Sequence, residues 1–202
     1  MKLEMFRRLF SERHDGASRG RRMTMDAAFT FRMGAGFAGD VNRTHPASIE
    51  PCLIDASAPP TFYGEAVIAD LSSTNGVRAP AAGDSGLNSV FGVTVRPFPV
   101  QAGSATNFGA VALGVPGVPP ASGVIDILKS GYVMVNLAGA AAAMKGSPVY
   151  VWVAASSGSH VQGGFEAAAT GGSTIALDAT GDRYYFNGPA DANGIVELAF
   201  NL

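Results

Sequence analysis

Three sets of residues in this 202-residue chain have types and spacings that could do chemistry. Gly83-Asp84-Ser85-Gly86 has the form of a serine nucleophile turn, and His45, then Asp55 or Asp70, then Ser85 follow in one order a His-Asp-Ser triad can take. His45 lies only forty residues ahead of Ser85, within RTHPAS, which leaves too little chain for a barrel to form between them. NGVRAPAAGDSG is more economically a polar turn between two strands. Gly34-Ala35-Gly36-Phe37-Ala38-Gly39 matches the dinucleotide-binding pattern G-x-G-x-x-G, but that site needs the turn to open a helix whose N-terminus holds the pyrophosphate. The following DVNRTHP has no apolar helical face and soon meets a proline, so a glycine-rich loop is the better reading.

The third set is the metal-ligating residues. His14, His45 and His160 are far apart, and the single Cys52 excludes both an internal disulfide framework and a multi-cysteine zinc site. No metal or cofactor is expected. Cys52, between Pro51 and Leu53, reads as a small buried hydrophobe. Asn42-Arg43-Thr44 is a glycosylation sequon in form, without meaning unless the chain is secreted.

The elements that would position these groups are short apolar runs cut apart by Gly and Pro. They are SGYVMVNL (130–137), KGSPVYVWVAAS (145–156), STIAL (173–177), RYYFNG (183–188) and GIVELAFNL (194–202). In the last, Val196, Leu198, Phe200 and Leu202 fall on one face and Glu197 and Asn201 on the other, the period of two of a half-buried strand. Trp152 sits where both faces are apolar, which favours a core or inter-subunit anchor over a ligand platform. Upstream, AAFTFRM alternates like a first strand, and GAGFAGDVNRTHPASIEPC reads as a structured loop in which Pro46 and Pro51 exclude helix. TFYGEAVIAD (61–70) is strand-like, Asn75-Gly76 marks a turn, and SVFGVTVRPFPV puts Phe91, Val93 and Val95 on one face with Thr94 and Arg96 on the other. GVPGVPPASG (114–123) is the strongest linker candidate and a candidate boundary between two β lobes. GVIDILKSGYVMVNL follows as strand material broken at Gly131, and only AGAAAAMKG (138–146) has appreciable helix propensity.

The expected class is all-β: a compact antiparallel barrel or sandwich, or two small lobes, with an extended N-terminal arm and long Gly/Pro-rich loops. Gly (26) and Pro (12) suit tight turns, and a charged fraction of 15% is well below the usual quarter. Residues 1–22 hold seven basic groups against three acids, a balance of +4, and leave −6 on the rest, where Lys129 and Lys145 are the only lysines. The body therefore lacks the basic stripe that phosphate recognition needs, and no nucleic-acid partner is expected. The longest apolar stretch, near Leu137–Met144, is too short to span a bilayer, and no secretory h-region is visible, so a soluble protein with no membrane partner is expected. Residues 1–24 read as a flexible basic arm and 25–202 as the β domain.

FTFRMGAGFAGDVNRTHPASIEPCLID, VFGVTVRPFP, SGVIDILKSGY, GSPVYVWVAASSG and HVQGGFEAA, taken in order, resemble the structural cement proteins of tailed bacteriophages. The resemblance runs from about Met23 to Leu202 and leaves out the basic arm. It implies a non-enzymatic capsid decoration protein, assembled in the host bacterial cytoplasm and carried on the outer surface of the virion. Such a protein clamps neighbouring subunits of the expanded major capsid protein and is expected to act as a homo-oligomer, a dimer or a trimer. Within residues 25–50, Phe29, Phe31, Arg32, Arg43 and His45 mix aromatic anchors with arginine, the residue types usual at interfaces, and are the expected capsid contacts. The competing reading for Phe29 and Phe31 is core-facing strand positions. Two other functions compete: a carbohydrate- or receptor-binding module of a phage fibre or head appendage, with Trp152, Asp182, Tyr184 and Tyr185 as its candidates, and a hydrolase resting on Ser85 alone.

Overall fold

The computed structural model describes residues 36–70, 76–86, 90–97, 118–177 and 183–202. They form ten strands: β1 (Ala47–Ile54), β2 (Ala66–Asp70), β3 (Gly76–Arg78), β4 (Val90–Thr94), β5 (Gly123–Ala138), β6 (Tyr150–Trp152), β7 (Phe165–Glu166), β8 (Thr174–Ala176), β9 (Tyr185–Phe186) and β10 (Ile195–Phe200). The all-β expectation is met: among the described residues the only helical piece is a 3-10 turn, Gly171–Ser173, and no helix is long and apolar enough to cross a membrane.

The first five strands close into a barrel. β1 pairs in parallel with β3; β3 with β2, β2 with β4, β4 with β5 and β5 with β1 are all antiparallel. Cys52 and Ile54, Val67, Val77, and Ile125 and Ile127 point inward at a spacing of two, with Tyr63 and Phe91 packed against them. Gly92 lies where that interior is full. A Cβ there would fall inside the Ile127 side chain and 2.5 Å from the Leu128 carbonyl oxygen.

A second, larger core lies on the outer face of this barrel. Ala66, Val93, Val95 and Leu128 contribute to it from the barrel wall, and Val133, Val151, Phe165, Phe186, Val196, Leu198 and Phe200 from the later strands. β5 serves both cores. Its first half pairs with β1 and β4, and its second half with β10 and, in parallel, β7. β7 pairs with β6, β6 with β8 and β10 with β9, while a bridge from Ser147 to Phe186 brings the two groups together. The expected break at Gly131 is a point inside one continuous strand. Its φ of 139° and the approach of the Pro46 carbonyl, 2.8 Å from where a Cβ would sit, explain why only glycine fits.

Several expectations need correction. The segment read as loop through Cys52 is strand from Ala47 onward; Pro51 is accommodated because, among the described residues, β3 joins β1 only from Leu53. In 61–70 the strand begins only at Ala66, because the Glu65 carboxylate accepts hydrogen bonds from the Thr61 and Phe62 backbone N–H groups and curls the chain into a turn. Phe91 does not share a face with Val93 and Val95. Val67 pairs with Gly92 and Ile68 with Val90, so Phe91 is the extra residue of a β-bulge and turns to the barrel interior. Its carbonyl is left to Lys129, whose Nζ donates to it at 2.6 Å and lies 3.0 Å from the Phe91 ring centroid. Thr94 is buried too, its hydroxyl accepting from the Glu65 N–H and donating to the Phe62 carbonyl.

The alanine run 138–146 is bends and turns: a few alanines cannot meet the cost of nucleating a helix, and Ala143 is drawn into the second core. β10 buries Ile195 and Ala199 as well as Val196, Leu198 and Phe200, with Ala199 set on its face between its cross-strand partners Tyr132 and Tyr185. Cys52 is buried as expected, and burial pushes its thiol up to about 11, so it is inert as a nucleophile. The alternating segment AAFTFRM, the first turn residue Asn75 and residues 114–117 of the linker lie outside the described residues.

Candidate interaction surface

Glu197 projects from the otherwise apolar β10, and the chain ahead of β1 is fastened to it. Arg43 donates from Nε to Oε1 at 3.0 Å and from Nη2 to Oε2 at 2.7 Å, and the Asn42 and Asn187 side-chain amides donate to the same carboxylate. Burial alone would raise the Glu197 carboxyl, but the hydrogen bonds from Asn187, Arg43 and Asn42 outweigh it and hold the group below the usual carboxylate range. The Arg43 guanidinium lies 3.9 Å from the centroid of the Tyr132 ring, and Tyr132 is hydrogen-bonded to Tyr185, whose phenol is raised chiefly by that bond. Val41, two residues before Arg43, bridges to Val133 on β5. The result is an exposed, preorganised group of arginine, tyrosine and amide side chains fixed on a rigid sheet.

The carboxylate organises four donor atoms from three side chains. Replacing Glu197 with alanine is therefore expected to cost about 1 kcal/mol of stability, since Arg43 is largely solvated and only the half-buried Asn187 loses a partner that water replaces poorly. Urea unfolding measures this, and an unchanged midpoint would show that the clasp contributes nothing.

Of the expected contact residues, Arg43 and His45 are on the surface, His45 exposed and joined to Pro46 by a cis peptide bond. Phe29, Phe31 and Arg32 lie outside the described residues. Residues 47–50, also expected at the contact, are half of barrel strand β1, so a deletion of residues 25–50 would damage the fold as well as any interface. Glu197, Tyr132 and Tyr185 were not singled out for this role. Glu197 is 154 residues from Arg43 in sequence, and its only local signal is a carboxylate on an apolar strand.

The lookalike motifs have structural roles. Asp84 is paired with Arg78 through Nη2–Oδ1 at 2.7 Å and Nη1–Oδ2 at 2.9 Å and also accepts the Ala81 N–H, so it locks the turn that carries Ser85. Asp55 accepts from the Ser57 N–H and hydroxyl. In the glycine motif, Gly39 has a φ of 88° and no room for a Cβ, which would lie 2.7 Å from that of Tyr63. Its N–H donates to Met134 O and its carbonyl accepts from Arg96 N, and the chain continues to the Val41 bridge instead of opening a helix.

The aromatic candidates for glycan binding are engaged elsewhere. Trp152 is buried, stacks on His160 with centroids 4.1 Å apart, and donates from Nε1 to Ala155 O. His160 Nδ1 lies 2.7 Å from Glu166 Oε1. Tyr184 packs edge-on against Phe200, and Asp182 lies outside the described residues.

Comparison with known proteins agrees with this picture of a β scaffold. The family model described as XM1 gp53 minor capsid protein matches residues 27–200. A solved structure, the capsid of Myoviridae phage XM1, contains a chain similar in fold, with a TM-score of 0.62 and 19% identity over 84% of this chain and 92% of that one. No curated protein matches. The match over most of the chain shows that it belongs to the XM1 gp53 minor capsid protein family, with a structural, capsid-associated role in a bacteriophage.

Proposed function

We propose that this protein is a cement protein: it binds the outer surface of the expanded major capsid lattice and stabilises the head against the pressure of packaged DNA. The observation that carries this reading is a rigid two-core β body that holds Arg43, backed by Tyr132 and Glu197, on its surface. Such a body spends no residues on chemistry and offers binding energy across subunit boundaries. If it binds only the expanded lattice, each copy shifts the shell toward that state by its differential affinity, and many equivalent sites act together on one shell. Arg43 and His45 are the described members of the contact set; Phe29, Phe31 and Arg32 complete it. The domain of residues 25–202 acts as a dimer or trimer, with the basic arm of residues 1–24 outside the grip, and needs no enzymatic activity, nucleic acid, cofactor or membrane.

The test is to mix the purified protein with undecorated expanded heads and image them. Added density at regular lattice positions, with greater resistance of the heads to heat, is expected. Binding to unexpanded heads with equal affinity would remove the stabilising mechanism, and no binding to either would remove the function. Arg43→Ala is expected to weaken binding to expanded heads by about tenfold, the loss of one arginine contact at an interface.

A further inference from the structure

Part of the barrel wall is left uncovered by the second core. Ile49, Pro51 and Leu53 share the outer face of β1, and across the ladder Leu53 pairs with Val124 and Pro51 with Asp126. Ile49, Leu53 and Val124 are 45, 51 and 58% exposed, whereas Leu128 and Val93, also on the outside of the barrel, are fully buried. An apolar stripe with one carboxylate beside it therefore faces outward. It follows directly in sequence on Arg43 and His45.

Two observations select what covers this stripe. The first is the state of the β1 edge. The Asp55 N–H bonds to Val77 O on the β3 side, so by alternation the backbone groups of Leu53 and Pro51 also point to that side. Among the described residues β3 reaches β1 only at Leu53 and Ile54, and Pro51 there presents a position without an N–H to the β3 side. A strand adding there would lack a ladder bond, which is how edge prolines block strand addition. The stripe is suited to a surface that is already folded and meets it through side chains.

The second observation is charge. Asp126 stands opposite Pro51 in the stripe, and Lys129 on the same strand is turned to the Phe91 carbonyl and ring. A second copy docked symmetrically on this stripe would place two Asp126 carboxylates in one small interface with no base among the stripe residues to pair them, whereas a basic side chain on a different protein would complement Asp126.

We propose that Ile49, Leu53, Val124 and Asp126 dock a folded apolar patch of the major capsid subunit that carries a lysine or arginine opposite Asp126. This rests on the cement reading and names the face that grips. The experiment is co-sedimentation of the full chain with undecorated expanded heads over a salt series. Leu53→Asp with Val124→Asp is expected to weaken binding by about a hundredfold, and Leu53→Ser alone by about tenfold. Asp126→Lys is expected to lose about tenfold and to flatten the dependence on salt.

Fluorescence of Trp152, the single tryptophan, checks that each variant is folded; Leu53→Ser, which adds no charge to the wall, serves if the double variant fails that check. Wild-type binding with equal binding by the folded variants overturns the proposed face and leaves the cement reading standing. Failure of the wild type to bind heads overturns both. A change in self-association with head binding intact would assign the stripe to a contact between copies and overturn the proposal.

Discussion

Replacing Gly92 with alanine is expected to lower the stability of the protein by about 3 kcal/mol, toward the upper end of what overpacking a filled core costs. The added Cβ would fall within the Ile127 side chain and 2.5 Å from the Leu128 carbonyl oxygen. A side chain can rotate away, but a backbone carbonyl held in the β4–β5 ladder cannot, so β4 must separate from β5 at the step that closes the barrel. Urea unfolding monitored by circular dichroism gives the loss directly. A double-mutant cycle isolates its cause: Ile127→Ala removes the methyl group in the way, so Gly92→Ala should cost less in that background than in the wild type. Equal costs in both backgrounds would assign the loss to the Leu128 carbonyl rather than to Ile127, and no loss in the wild-type background would show that the barrel interior has room at this position.

A second large effect comes from Glu65, which is 1% exposed. Burial pushes its carboxyl up to about 7, against the opposing pull of the hydrogen bonds it accepts from Thr61 and Phe62. The unfolded chain releases this proton near the ordinary value of 4.5, and the folded chain holds it to about pH 7. Between those values the folded state binds more protons, so stability falls as pH rises, by about 3 kcal/mol once both states are ionised. The sign is opposite to that of Glu197, whose lowered carboxyl contributes stability that is present above the ordinary carboxylate range and lost in acid. Unfolding curves at intervals from pH 4.5 to 8.5 measure the Glu65 effect, and Glu65→Gln should flatten them across that window. A Glu65→Gln profile parallel to the wild type would assign the slope to other groups. Gly163 leans on this carboxyl, its backbone N–H and carbonyl bonded to Trp152 and Ala66, so ionisation of Glu65 acts where the barrel meets the second core.

The class of the fold was legible because it rests on local rules. The period of two in GIVELAFNL and the turn residues both follow from neighbours in the chain. The cement resemblance likewise pointed to the phage capsid, in agreement with the family to which the chain belongs. The bulge at Phe91 was not legible: a one-residue register shift depends on how β2 meets β4, and the letters of β4 alternate without it. Nor was the Arg43 clasp, because Glu197 becomes a partner only after β10 pairs with β5.

What the sequence by itself determined is a β protein of short strands and low charge, since composition and period are properties of the chain alone. The closure of the barrel was decided by tertiary structure. β1 and β5 pair residues between 69 (Ile54 with Gly123) and 84 (Ala47 with Gly131) positions apart, and only that register sends Cys52, Ile54, Ile125 and Ile127 inward while leaving Ile49, Leu53 and Val124 outside. Shifting a strand by one residue exchanges its faces, so the same letters could have buried the stripe and exposed the core. Which apolar residues hold the protein together and which are left to meet a partner is therefore a property of pairing, not of residue type.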